Sequence, residues 1–173
     1  MDGGLPELLT QVTPTRWEGV SQLARGPHSV IFTGRDLAGL PGQPVQVEFT
    51  VFLEAEATGC QDATSKLAGQ YDQVTLTQSV NDYPGTCITF GANNVVFDGG
   101  WSQGRMIDGN MNSIGIDFKS FSGNIITNAE VRNFGGGIRS YITNDNVIEN
   151  SFIHDNFGEG ILINRGNNHK VLN

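Results

Sequence analysis

Two groups of side chains in this sequence have the types and spacing that chemistry needs. Asp117 and Arg139 lie 22 residues apart, each directly after an isoleucine, Ile116 and Ile138. If those isoleucines point inward, Asp117 and Arg139 point outward in one column. A carboxylate over a guanidinium would bind a sugar hydroxyl or a ligand carboxylate. The plain alternative is a surface ion pair worth about 0–1 kcal/mol. The second group is His154-Asp155 with Glu159. A histidine and carboxylates on a corner could act as acid and base or bind a metal, against the ordinary reading of a solvated histidine in a turn.

Other candidates carry less. His169 beside Lys170 reads as a solvated corner. Trp101 with Phe134 or Phe157 offers a stacking face for sugar rings, or else these rings seal loops. Gly135-Gly136-Gly137 lacks the Lys-Ser/Thr and the helix that a phosphate loop requires. There is no Gly-x-Ser-x-Gly element and no Cys/His pairing for nucleophilic catalysis. Cys60 and Cys87 suit one disulfide, worth about 3–4 kcal/mol if oxidised, or two buried free thiols. No second Cys or His pair lies at zinc-ligand spacing. The binding-surface candidates are therefore Asp117, Arg139, His154, Asp155 and Glu159, with no catalytic residue, metal ligand or cofactor assigned.

The elements that would position these residues repeat. Asn94-Val95-Val96-Phe97-Asp98, Asn124-Ile125-Ile126-Thr127-Asn128, Asn146-Val147-Ile148-Glu149-Asn150 and Lys170-Val171-Leu172-Asn173 share one pattern, with intervals of 30, 22 and 24 between Val95, Ile125, Val147 and Val171. A second series, at Ile116, Ile138 and Ile161, has intervals of 22 and 23. A third runs through Ala129-Glu130-Val131 and Ser151-Phe152-Ile153. Three short strands per period of about 22 residues, separated by Asn/Gly corners, is the pattern of a stacked coil. One coil has too little apolar surface to fold alone; stacking joins each to its neighbours through backbone hydrogen bonds. Asn and Gly reach the left-handed backbone of tight corners most cheaply. Asn128 and Asn150 recur at one position and would stack as an amide ladder. A leucine-rich horseshoe has a similar period, but only Leu162 and Leu172 follow Pro84.

Composition divides the chain. All six prolines lie at or before Pro84, whereas fifteen asparagines occur from Asn93 onward and only Asn81 earlier. Proline would remove a ladder hydrogen bond, so its absence suits parallel stacking. Before the boundary, Ser29–Thr33, Val45–Leu53 and Val74–Val80 read as strands, Val45–Leu53 as a half-buried one. Asn81–Gly85 reads as a turn, and Leu5–Leu9 and Trp17–Leu23 as short helical turns. The net charge of −8 and pI near 4.7 leave no basic stripe for nucleic acid. No run of 18 apolar residues could span a membrane, and the first residues do not form a secretory signal.

The segment Cys87-Ile88-Thr89-Phe90-Gly91-Ala92-Asn93-Asn94-Val95-Val96-Phe97-Asp98-Gly99-Gly100 resembles right-handed β-helix proteins of the carbohydrate-binding and sugar-hydrolase group. It is most similar to the NosD-type repeats of archaeal and bacterial surface proteins. In that family a cysteine-bearing strand precedes an Asn-x-Val-x-Phe/Ile-Asp-Gly segment, and an earlier cysteine, matching Cys60, precedes a strand here filled by Tyr71–Thr77. The resemblance covers about half the chain, and many activities share the scaffold. The Asn-Thr-Asp, Asp-Asp, Gly-His-Gly and Arg-Ile-Lys segments of polygalacturonase-like members are absent, as is the Arg-x-Pro-x-x-Arg of pectate-lyase-like members.

The expected fold is all-β: a right-handed single-stranded parallel β-helix of about four coils over residues 59–173, cut short at its C-terminal end, after a β-rich segment at 1–58. The expected function is that of a non-catalytic module of a secreted or cell-surface protein, an internal fragment that binds polysaccharide or another wall polymer or acts as a spacer. One rival is a polysaccharide lyase, hydrolase or epimerase with its site on further coils. The other, implied by the NosD resemblance, is a periplasmic accessory protein of metal-centre assembly, for which three His, two Cys and three Met form a weak copper set.

Overall fold

A computed structural model describes residues 10–13, 16–18, 26–32 and 42–173. The chain divides into two compact units, Met1–Val51 and Phe52–Asn173, and the composition shift at Pro84 falls inside the second. In the first unit, β1 (Thr10–Thr13) pairs antiparallel with β2 (Arg16–Glu18), and β3 (Gly26–Phe32) with β4 (Val45–Val51). β4 falls on the alternating stretch, but it is not half-buried: Val45, Val47 and Phe49 are all exposed. Trp17 lies in β2 rather than in a helical turn, and Leu5–Leu9 lies outside the described residues.

The second unit is a parallel β-solenoid. Its elements are β5 (Glu54–Ala57), α1 (Cys60–Lys66), β6 (Gln73–Leu76), β7 (Val80–Tyr83), β8 (Ile88–Thr89), β9 (Val96–Asp98), a 3-10 turn (Trp101–Gln103), β10 (Ile107–Gly109), β11 (Ile114–Asp117), β12 (Ile125–Thr127), β13 (Glu130–Arg132), β14 (Gly136–Tyr141), β15 (Val147–Glu149), β16 (Phe152–His154), β17 (Ile161–Asn164) and β18 (Lys170–Leu172). From β9 onward each strand stacks on the one three before it; β6 stacks on β5, and β7 and β8 open their own sheets. One sheet runs β5-β6-β9-β12-β15-β18, a second β7-β10-β13-β16 and a third β8-β11-β14-β17, all parallel. That makes four complete coils, with β5 and α1 before them and β18 after: about five turns, slightly more than the sequence predicts.

Alternation within each short strand sends one residue inward. The columns are Val74-Phe97-Ile126-Ile148, Val80-Ile107-Val131 and Ile88-Ile116-Ile138, all buried. Each buried side chain contributes about 1.5–3 kcal/mol. Phe90 and Phe118 stack inside with ring centroids 4.9 Å apart. The isoleucine series has the register its spacing predicts. The first series is offset by one residue: Ile125 pairs with Val96, not Val95, and Val147 with Lys170, not Val171. Where strands are three residues long, a step of one exchanges inside for outside, so Phe97 rather than Val96 fills the core.

Corners behave as the composition implies. Among the described residues thirteen other than glycine have positive φ, and eight of these are Asn or Asp, including Asn94, Asn128, Asn133 and Asn150. Asp82, with φ of 50°, lies within β7, so the expected turn at 81–85 is partly strand. The buried ladder does not run through Asn128 and Asn150. It runs through Asn124 and Asn146: the Val95 amide donates to Asn124 Oδ1 (2.9 Å), and the Asn124 amide to Asn146 Oδ1 (2.9 Å). Asn146 Nδ2 in turn donates to the Phe121 carbonyl and the Thr143 hydroxyl. These amides satisfy backbone groups that the bend takes out of the ladders. Gly137 also has a steric reason, because a Cβ there would lie 2.3 Å from the Gly160 carbonyl oxygen of the next coil.

Cys60 and Cys87 are joined in a disulfide. It ties α1 to the strand region of β8, on which the helix packs. At the far side of α1, Asp62 pairs with Lys66 (2.8 Å) and accepts the Thr58 amide (3.0 Å).

Candidate functional site

The outer face of the sheet β7-β10-β13-β16 gathers the side chains with most chemical potential. Val131 and the partly buried Ile153 point into the core, so their strand neighbours Glu130, Arg132, Phe152 and His154 point out. Register places Phe152 beside Glu130, His154 beside Arg132, and Arg132 beside Asp108.

The coil between β9 and β10 is longer than the others and carries Trp101 on its 3-10 turn. Asn128, in left-handed backbone at the corner of the next coil, holds that turn. Its carbonyl accepts the Trp101 amide (2.8 Å), its Oδ1 accepts the Ser102 amide (2.7 Å), and its Nδ2 donates to Asp98 Oδ1 (2.8 Å). Gly100 enters the turn with φ of 72°, a backbone that glycine adopts without strain. Trp101 is thereby laid against Phe152, with ring centroids 5.8 Å apart and planes 26° from parallel. Phe152 stacks on the His154 ring at 4.1 Å. Trp101 and Phe152 remain 42% and 48% exposed, so the edge of the stack is open to solvent.

Charge borders it. His154 Nδ1 lies 2.8 Å from Asp155 Oδ2, and Nε2 lies 3.2 Å from Glu130 Oε1. Arg132 reaches Asp108 at 3.4 Å and Glu130 at 3.9 Å. The Asp155 side chain is largely open to solvent.

The sequence-predicted residues fall in different places. Asp117 and Arg139 do stack on adjacent coils, and Arg139 Nη2 donates to Asp117 Oδ2 at 2.5 Å. Asp117 does not face solvent, however. It is 4% exposed, and its other oxygen accepts the Lys119 amide. The carboxylate, by accepting this hydrogen bond, holds the Arg139 guanidinium above its ordinary pKa. The contact covers the carboxylate, while the Arg139 side chain stays 42% exposed. His154 and Asp155 do come together, but the second carboxylate at the ring is Glu130, not Glu159; Glu159 is exposed in the loop before β17. His169 is half-buried, its Nε2 2.9 Å from the Thr143 carbonyl. Phe134 is fully buried and Phe157 is 84% exposed; neither partners Trp101 in a ring stack. Among the described residues no three His, Cys, Asp or Glu side chains are grouped to hold a metal ion, and no helix is long and apolar enough to cross a membrane.

Sequence reasoning thus missed Asp108, Glu130, Arg132 and Phe152. Two signals pointed to them. Aligning coils on the third series puts these residues beside inward positions, and the longest interval in the repeat, 30 residues from Val95 to Ile125, encloses Trp101.

No protein family, curated protein or solved structure matches this chain.

Proposed function

We propose that this chain is a non-catalytic, polysaccharide-binding β-helix module of a secreted or cell-surface protein, of the NosD-like repeat type. The supporting observation is the open Trp101–Phe152 stack on a rigid parallel sheet, bordered by carboxylates, a guanidinium and an imidazole. Sugar rings present apolar faces that lie on aromatic rings and hydroxyls that hydrogen-bond to charged side chains at the margin.

Retention in native gels cast with soluble polysaccharides tests this reading. Wild-type protein should be retarded by at least one neutral polymer, and Trp101→Ala should migrate freely. Equal retention of both proteins, or free migration of wild type in every polymer, sinks the proposal; the latter outcome leaves only a spacer role.

One geometric feature supports a second reading. Glu130 and Asp155 flank His154, an arrangement able to move protons, so a lyase, hydrolase or epimerase would act here. Release of reducing ends or unsaturated products, abolished in Glu130→Gln, would replace the binding reading with an enzymatic one. The metal-assembly reading has less support, because Cys60 and Cys87 are bonded to each other and so removed from its ligand set.

A further inference from the structure

We infer that the Trp101–Phe152 platform selects an uncharged or amine-bearing glycan, such as a polymer of hexosamine units, and rejects polyuronates. The inference rests on the polysaccharide-binding reading and adds the ligand's charge class.

The rings determine what docks, and their border determines its charge. Phe152 lies between Trp101 and the His154 ring, so a sugar laid across the exposed edges of the three rings extends from Trp101 to the groups that His154 touches. Three carboxylates stand there: Asp108, Glu130 and Asp155. The one guanidinium among them, Arg132, is already engaged by Asp108 and Glu130. Its Nε is buried without an acceptor and cannot reach outward to a ligand. A sugar carboxylate placed there would meet three carboxylates and one guanidinium already shared between two of them, while Arg105 on the Trp101 loop is turned onto the Leu76 carbonyl (2.7 Å); like charges at such range repel. The chain's net charge of −8 adds to that repulsion at long range.

Hydroxyl and ammonium donors meet the opposite situation. Asp155 is held by His154 through one oxygen, at 2.8 Å, while its side chain stays 74% exposed. That leaves an oriented acceptor at the end of the ring stack. A sugar hydroxyl donates to it, and a protonated amine donates with added charge attraction. This is a charge-complementary edge on an apolar stack, whereas Asp117 is buried under Arg139 and provides no such open acceptor.

The experiment measures Kd by titration calorimetry, at low and high salt, for three soluble polymers: a neutral N-acetylhexosamine polymer, the same polymer partly deacetylated, and a polygalacturonate. The expected order is deacetylated tightest, neutral next and polygalacturonate without measurable binding. The amine should improve affinity about two- to fivefold at low salt, the scale of one exposed ion pair. Asp155→Asn should remove that gain, so that the neutral and the deacetylated polymer bind with equal affinity. Asp145→Asn, which removes one exposed charge from a different corner, should keep the gain. Trp101→Ala should weaken every polymer at least tenfold.

Tighter binding of polygalacturonate than of the neutral polymer, still lost in Trp101→Ala, overturns the charge inference and leaves the platform reading intact. So does an amine gain that Asp145→Asn abolishes as fully as Asp155→Asn. Failure of all three polymers to bind, or binding unaffected by Trp101→Ala, overturns the platform reading as well.

Discussion

Trp101 and Phe152 stack with their ring centroids 5.8 Å apart, although they come from different coils and different local structures. One ring rides on a 3-10 turn and the other on a strand. Their contact depends on Asn128, which accepts amides from the turn through both its backbone and its side chain. Removing Asn128's carboxamide should therefore disturb binding without touching a ligand. Asn128→Ala is expected to weaken glycan affinity severalfold. Trp101→Ala should abolish binding while lowering stability by no more than about 1.5 kcal/mol, the scale of an aromatic pair. Paired binding and thermal-melt measurements would show whether the two effects separate.

The inward column is where stability resides. Ile138 is 1% exposed and packs between Ile116 and Ile161 on neighbouring coils. Ile138→Ala should cost about 2–5 kcal/mol, as large-to-small changes in a dense core do. Tyr141→Ala, at an exposed position of the same strand, should cost well under 1 kcal/mol. Urea denaturation followed by circular dichroism compares them directly, and similar midpoints would contradict the column.

The disulfide closes a sequence separation of 27 residues. Cys60→Ser/Cys87→Ser should lower stability by about 3–4 kcal/mol if the constraint acts mainly on the unfolded chain. The loss should be matched in wild-type protein melted under reducing conditions. A doubly substituted protein that melts like the oxidised wild type would show that α1 is held by packing alone.

Asp117 and Arg139 form a contact whose two halves are unequally buried. Arg139→Ala leaves a buried carboxylate with one partner fewer and should cost about 1–3 kcal/mol. Asp117→Asn/Arg139→Ala should cost less than the two single changes added together. A double-mutant cycle with no coupling would show that Arg139 contributes only its aliphatic stem.

The Lys66 ammonium, hydrogen-bonded to Asp62, holds that carboxyl below its ordinary pKa, with help from the Thr58 amide. A carboxyl whose folded pKa is lowered stabilises the fold above its unfolded value and loses that contribution as pH falls through the folded one. Asp62→Asn should therefore melt at a lower temperature than wild type at about pH 7, and the difference should vanish in acid, below the usual carboxylate range. The effect should be small, because the pair is partly open to solvent. A difference that persists in strong acid would assign it to helix propensity.

Much of the solenoid is legible in the sequence because its stability is local and repeated. The Ile116, Ile138 and Ile161 spacing carries the true register, since a buried column tolerates no drift between coils. The Val95 series misleads by one residue because two adjacent aliphatics, Val95 and Val96, are equally good by type. Only the Asn124 amide, which receives the Val95 backbone in the corner, decides between them. Asp117 was read as open because strand alternation gives the direction of a side chain but not what covers it; Arg139 on the next coil does.

By itself the sequence determined the coil period, the parallel stacking and the asparagine-rich corners. Each is a requirement that every coil must meet, and so it is written again every 22 residues or so. Only the tertiary structure decided the outer surface. Trp101, Glu130 and Phe152 satisfy no repeating requirement, and they become one site because stacking lays consecutive coils at strand spacing, about 4.8 Å apart, where side chains remote in the chain come within contact.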